Sequence, residues 1–423
     1  MTGPPLTLSR MSAPGSVPPT PDPAHGVAFV MELGAALHRF GTPAHRLEAA
    51  MGAVARQLSL EAQILSTPTS VMAGFGPLAD QKNVLVRVDP GEIDLEKLAA
   101  LDRVAGAVGR GEVPVADGVA EVRAIAARRG RYPVPLIVIA LGLLSASTAV
   151  FLAGGWREIA VAGLIGLVVG AMTATVHGSI SGSRVYSFVA AFVAAAIAYG
   201  ALAIGVPISL RITILAGVIA LLPGYTLTVA MTEVATRNLV SGTARLTSAA
   251  VAFLELTFGI ALAEVVMTRL FGTPTGIMAA GAPLPEWAEL AALAIFVPAA
   301  GIELGAHPLQ FPAIAVASAA AYYSARLGTD LLTPELGAAV GGFAVAAGSN
   351  VYARLADRPA MVPLVPGLLL LVPGSMGLRS MTSMLERDVM SGIDTAFAMI
   401  LVAVSLVAGL LMANASVPPR RDL

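Results

Sequence analysis

The sequence predicts a mostly α-helical membrane protein. The expected architecture is about ten transmembrane helices in an inverted 5+5 repeat with broken helices, preceded by a small α+β cytoplasmic domain. Three observations carry this expectation. The 423 residues are 56% hydrophobic and 13% charged, with a mean hydropathy of +0.79, whereas soluble domains are about 25% charged. The segment LLPGYTLTVAMTEVATRNLVSGTARL, 221–246, returns as LVPGSMGLRSMTSMLERDVMSGIDTA, 371–396. Both lysines, Lys82 and Lys97, lie before residue 130, so a polar front meets an apolar back.

The net charge of −1 gives no reason to expect a nucleic-acid partner, and the absence of cysteine excludes disulfides, thiolate metal sites and cysteine nucleophiles. Residues 1–24 are rich in Pro, Ser and Thr and lack a signal-peptide apolar core, so a disordered tail is expected. Residues 25–130 read as the α+β domain. HGVAFVMELGAALHRFG has helical spacing and ends at Gly41. Thr42-Pro43 then offers a cap and a first-turn proline for a second helix. Two strand-like runs follow, AQILSTPTSVMAGF and NVLVRVDP, and then helices near 94–109 and 115–129. Arg128, Arg129 and Arg131 stand directly before the first apolar span, which marks that end as cytoplasmic.

Spans are expected near 134–152, 158–176, 185–205, 211–230, 246–267, 287–305, 309–326, 335–356, 361–379 and 393–413. The polar segment 273–286 divides them into modules 134–270 and 287–413. Five spans per module force opposite orientations of the two copies, as in many secondary carriers. The flanking arginines support an inside amino terminus modestly. Arg184, Arg237, Arg245, Arg354, Arg358, Arg420 and Arg421 would face in, and Arg157, Arg211, Arg269, Arg326, Arg379 and Arg387 out.

The repeat itself marks the candidate site. Pro223-Gly224 matches Pro373-Gly374, and Ser241-Gly242 matches Ser391-Gly392 at the same separation. Proline removes a backbone N–H and glycine eases departure from helical geometry, so the fourth and ninth spans should be interrupted. Thr226, Thr228, Thr232, Ser375, Ser380, Thr382 and Ser383 follow the breaks. Hydroxyls and free N–H groups there suit a carboxylate, although a solvated loop would also place them so. Glu233 and Arg237 have the i, i+4 spacing of a helical ion pair. Glu255, mid-span, is the candidate for proton coupling, with structural pairing to Arg245 or Arg211 as the alternative. Glu303 and Asn350 are further polar residues in or near spans. His45 and Glu48 share a helix face, but no third metal ligand is visible and a plain surface helix explains them. No GxSxG, HExxH, P-loop or GxGxxG is present, so ATP-driven transport by this chain alone is not expected, and neither an enzyme activity nor a cofactor is assigned.

GTPAHRLEAAMGAVARQLSL with STPTSVMAGF resembles the amino-terminal signature of the threonine/serine exporter family, as does LLPGYTLTVAMTEVATRNLVSGTARL. LVPGSMGLRSMTSMLERDVMSGI resembles that family's second membrane module, and the resemblance runs over about residues 25–413. It implies a multi-pass carrier of the cell membrane, an antiporter exporting threonine and serine on the proton gradient. It directs attention to Arg46, Glu48, Thr67, Pro68, Thr69, Pro223, Gly224, Ser241, Gly242, Arg245, Pro373, Gly374, Ser391 and Gly392, with Glu233 where the pattern leads one to expect aspartate. The implied partners are a small amino acid, protons and the bilayer, and a homo-oligomer stays open. Two other readings stand beside this one: a membrane-anchored hydrolase or sensor acting through 25–130, and a small-solute channel.

Overall fold

The computed structural model describes residues 23–89, 91–176, 180–272 and 284–419. Residues 1–22 of the expected tail, the side chains of Arg184, Arg420 and Arg421, and most of the 273–286 segment lie outside the described residues, and residues 23 and 24 already belong to the first helix.

The amino-terminal unit comprises α1 (Pro23–Arg39), α2 (Ala44–Gln57), β1 (Ala62–Thr67), β2 (Ser70–Phe75), β3 (Lys82–Arg87), α3 (Leu95–Gly109) and α4 (Val115–Ala127). The strands form one antiparallel sheet in chain order. The first strand-like run is thus a hairpin rather than a single strand. Thr67 faces Ser70 across Pro68-Thr69, where proline cannot continue the ladder. Thr42 does not cap α2: the cap position is Pro43, with no side-chain hydrogen bond of its own. That duty falls to a residue far along the chain, described below. Phe29, Leu33, Leu37, Leu47, Met51, Leu95 and Leu101 form a core that continues without interruption into Val297, Leu304, Ala306, Ile314, Met361 and Val365 of the membrane helices. The unit is therefore docked on the helices and not merely tethered to them. Two bonds to backbone carbonyls reinforce this: Leu95 N–H donates to Leu304 C=O at 2.9 Å, and the Tyr132 hydroxyl to Ala306 C=O at 2.7 Å.

The helical part begins with α5 (Val134–Phe151), α6 (Trp156–Val176), α7 (Ile180–Ala203), α8 (Leu210–Gly217), α9 (Gly224–Ala235) and α10 (Leu239–Phe271). It continues with α11 (Trp287–Glu303), α12 (Phe311–Leu331), α13 (Pro334–Ala356), α14 (Met361–Leu369), α15 (Gly374–Leu385) and α16 (Val389–Ser416). Among the described residues seven stretches are long and apolar enough to cross a membrane, namely α5, α6, α7, α10, α13, α16 and Met361–Leu385, which holds α14 and α15, or eight with the α8–α9 pair, which is bent by 55°. Two expected spans are not among them: α11 has 17 residues with Pro298 inside, and α12 is rich in Ala, Tyr and Ser.

The two copies of the repeated segment adopt the same backbone. Pro223 and Pro373 precede α9 and α15 with φ/ψ of −77°/35° and −82°/34°. Arg237 and Arg387 both end those helices at φ 68°. That left-handed turn takes Arg237 out of the helix, so the expected Glu233–Arg237 pair does not form. The glycines explain the rest. A Cβ on Gly242 would lie 2.6 Å from Val234 Cγ2, and one on Gly392 3.0 Å from Ser380 C=O, so each Ser-Gly lets the following helix cross tightly over the short one. At the breaks the short helices meet each other. A Cβ on Gly224 would lie 3.1 Å from Gly374 Cα, and one on Gly374 3.2 Å from Gly224 Cα.

Because those neighbours are backbone atoms, they cannot yield as a side chain would. Gly224→Ala and Gly374→Ala should each lower stability by about 2 kcal/mol, read as a drop in melting temperature of the detergent-purified protein. Unchanged melting in both would mean that the helix starts are not in contact.

Candidate functional site

Two 12-residue helices, α9 and α15, start where they touch. The first amides of a helix have no acceptor within it. Here the first bonds back to the caps are Leu227 N–H to Pro223 C=O and Gly377 N–H to Pro373 C=O. The N–H groups of residues 224–226 and 374–376 therefore donate to nothing among the described residues. They open on a cavity of about 570 Å³ lined by Gly224, Tyr225, Thr226, Gly374 and Ser375. Its other walls bring Thr148 of α5, Arg245 of α10, Glu303 of α11 and Tyr322 of α12, and the 91–93 loop of the amino-terminal unit closes one side. Thr226 and Ser375 hydroxyls are uncommitted among the described residues. Two helix starts carrying partial positive charge, with free amides, suit one end of this cavity to an anion. A second cavity, of about 800 Å³, adjoins it, lined by Lys97, Arg131 and Tyr132 and by Leu141 and Val169, and shares Glu303 with it.

Other residues marked by the sequence are placed elsewhere. Thr228 and Thr232 hydroxyls turn back onto their own helix, to Gly224 C=O at 3.2 Å and Thr228 C=O at 2.8 Å. Thr382 does the same, to Leu378 C=O at 3.0 Å, whereas Ser380 bonds across to Gly392 C=O in the first turn of α16 at 2.7 Å. Ser391 is exposed in the first turn of α16, its N–H bonded to Asp388. Glu255 lies half-buried mid-α10, and lines neither cavity.

The signature residues of the amino-terminal unit and those of the first module instead meet each other. Glu233, 0% exposed, accepts the Ala44 N–H at 2.9 Å, and so supplies the missing cap of α2. Its other oxygen forms an ion pair with Arg245 Nε at 3.1 Å. Glu48 accepts from Ser66 N–H at 2.7 Å, from Ser66 Oγ at 3.0 Å and from Asn238 Nδ2 at 3.0 Å. Ser241 Oγ donates to Ser66 C=O at 3.2 Å. His38 Nε2 bonds Thr67 C=O at 2.7 Å, with Pro68 and Thr69 forming the turn beyond. So α2 is not a plain surface helix, and Glu48 is no metal ligand in waiting but a bridge between hairpin and membrane helices. Among the described residues no three His, Asp or Glu side chains gather. Burial disfavours the charged form of both His38 and His45. Burial, with Arg46 adding to it, pushes His45 from its ordinary 6.5 down to about 4. Burial also lowers His38, opposed by its bond to Thr67 C=O, with Arg245 lowering it further.

Residues 28–267, more than half of the chain, match the family described as "Putative threonine/serine exporter". Residues 289–415 match the second module, "Threonine/Serine exporter, ThrE". The chain belongs to the threonine/serine exporter family. It is a multi-pass membrane protein, and the two modules that the family describes meet at Gly224 and Gly374. The chain is also similar to fungal proteins named pheromone-regulated membrane protein 10. It is 31% identical to that of Candida albicans over 87% of this chain and 34% of that protein. The protein of Eremothecium gossypii is 26% identical over 83% of this chain and 48% of its own length. The chain thus spans about a third to a half of the curated relatives it matches. No solved structure matches it.

Sequence reasoning found the helix breaks but missed Thr148, Tyr322 and the 91–93 loop, which line the cavity from elements without a motif. It also missed that Ser66 and Asn238 complete the Glu48 bridge.

Two outcomes are expected. Glu233→Ala leaves Arg245 and the Ala44 amide without their buried partner, and should cost about 3 kcal/mol, measured by thermal melting. Stability should also fall with pH for a definite reason. Below about 6.5 the unfolded chain protonates His45, while the folded site refuses the proton until about 4. The melting temperature should therefore drop across that window, and His45→Gln should show a shallower drop. Equal slopes would remove His45 from the interface.

Proposed function

We propose that the chain exports threonine and serine across the cell membrane in exchange for protons, with its amino-terminal unit in the cytoplasm. One observation carries this reading: two helix starts with unbonded amides meet head to head in a cavity of about 570 Å³. That volume is in the ~300–1,000 Å³ range of small-molecule sites. A zwitterionic amino acid offers a carboxylate to those amides, and Thr226 and Ser375 offer hydroxyls to pair with the substrate's own. A site built to bond a hydroxyl rejects the analogue that lacks it, because its own groups are then left unpaired.

Ten spans in two inverted sets of five remain the preferred topology. Support comes from which helix ends reach the amino-terminal unit. The first helix of module one, α5, starts beside it, whereas its counterpart α11 ends there, through the Leu304–Leu95 bond. Similarly the α8–α9 span ends there through Glu233 and Ala44, while the matching α14–α15 span begins there through Met361 and Val365. At the opposite end Trp156 and Trp287, first residues of α6 and α11, lie 6.0 Å apart. The arginines at 128–131 favour the cytoplasm for the amino-terminal side.

The test is counterflow of labelled threonine in proteoliposomes, with and without an imposed pH gradient. Ser375→Val and Thr226→Val should each reduce threonine exchange about tenfold, roughly the worth of one lost hydrogen bond to a bound polar group. Wild-type exchange in both variants would sink the site. Flux indifferent to the pH gradient would replace the antiporter by a channel.

A further inference from the structure

Glu303 ends α11 at the wall common to the two cavities. Five residues line both, and of these only Glu303 and Glu92 can carry charge. Among the described residues Glu303 has neither a hydrogen bond nor an ion pair. The cations around it are otherwise engaged: Arg245 with Glu233, Lys97 with Asp94 at 3.7 Å, and Arg131 with Glu96. The remaining titratable groups of the two walls are Tyr132, Tyr186, Tyr225 and Tyr322, whose phenols stay neutral at physiological pH. Glu303 is also the last residue of its helix, where the partial charge is negative. One unpartnered carboxyl at a helix C-terminus makes a site that calls for a cation.

The geometry points to Glu303 as the group that binds the substrate's ammonium and the counter-transported proton by turns. This rests on the cavity being the amino-acid site. The anion end and the cation end then lie in one cavity, the first at the amides of α9 and α15 and the second at Glu303. On the side of the amino-terminal unit, Glu303 releases its proton and takes the ammonium. On the far side the amino acid leaves and a proton from there takes its place. One amino acid moves out for each proton moved in, and only an O–H bond is made or broken. Glu255, which lines neither cavity, is given no part in this exchange.

Two measurements on the detergent-purified full chain test this. Without substrate, infrared difference spectra between acid and alkaline pH should contain a protonated-carboxyl band that disappears in Glu303→Gln. With threonine added in weak buffer, the wild type should release close to one proton per molecule bound, and Glu303→Gln none. Glu303→Asp should keep binding while its half-release pH shifts by about half a unit or more, the effect of moving the carboxyl back one methylene. The assignment is overturned if the band and the proton release survive in Glu303→Gln, or if they vanish in Glu255→Gln instead. A variant that melts like the wild type yet binds no threonine supports the ammonium role, because only the carboxyl charge was removed. A wild type that shows the band but no threonine-linked release refutes threonine as the substrate and leaves the band to judge Glu303.

Discussion

Two helix N-termini repel one another. Each carries about half a positive charge in unbonded amides, and α9 and α15 bring theirs within backbone contact at Gly224 and Gly374. A fold driven by packing alone would offset these ends or cap them with carboxylates, and neither cap is a side chain here: both are prolines without a side-chain hydrogen bond. The arrangement makes sense where a transient anion is expected between the ends. Glycine permits the approach, proline sets the break, and the repeat in the sequence ensures that both helices arrive with the same geometry.

The second constraint is the buried carboxylate of Glu233. Removing a charge from water is costly unless it is paired, and Glu233 is paired from two directions, by the amide at the start of α2 and by the charge of Arg245. The ion pair with Arg245 stands next to the cavity, since Arg245 is also one of its wall residues. Docking of the amino-terminal unit and placement of a cationic wall are therefore one event. The Glu48–Ser66–Asn238–Ser241 bonds extend the same seam to the turn between α9 and α10.

What the sequence could disclose follows from the range of each interaction. Breaks at Pro223-Gly224 and Pro373-Gly374 are local events, governed by residues in the break itself, and were legible. Helices α3 and α4 were legible for the same reason, whereas the hairpin at Pro68 was concealed in one apolar run. Glu233 illustrates the other case. Its i, i+4 neighbour Arg237 was the natural partner by spacing, yet the turn at Arg237 removes it, and the actual partners sit 189 residues upstream and one helix onward. Glu303 was visible only as a polar residue near a span end. Its isolation from every nearby cation belongs to three-dimensional packing, and no spacing rule reports it.

These contacts also decide whether the amino-terminal unit can be an accessory. The shared core runs from Phe29 to Val365, so stripping residues 1–130 would expose Val297, Leu304, Ile314 and Met361 to water. It would leave Glu233 facing Arg245 without the α2 amide, and would unroof the cavity that residues 91–93 close. A truncated chain that failed to transport would then report a damaged core and say nothing of a separate activity in the unit. The sharper question is whether the 91–93 loop moves while the seam at Glu233 holds. The loop borders both cavities beside Glu303, and immediately after it Asp94 caps α3 and Leu95 bonds to Leu304. A gate at that position would be anchored on its carboxy-terminal side to the very helix that carries the cation site, so that opening the cavity and altering the surroundings of Glu303 would be coupled by a single short stretch of chain.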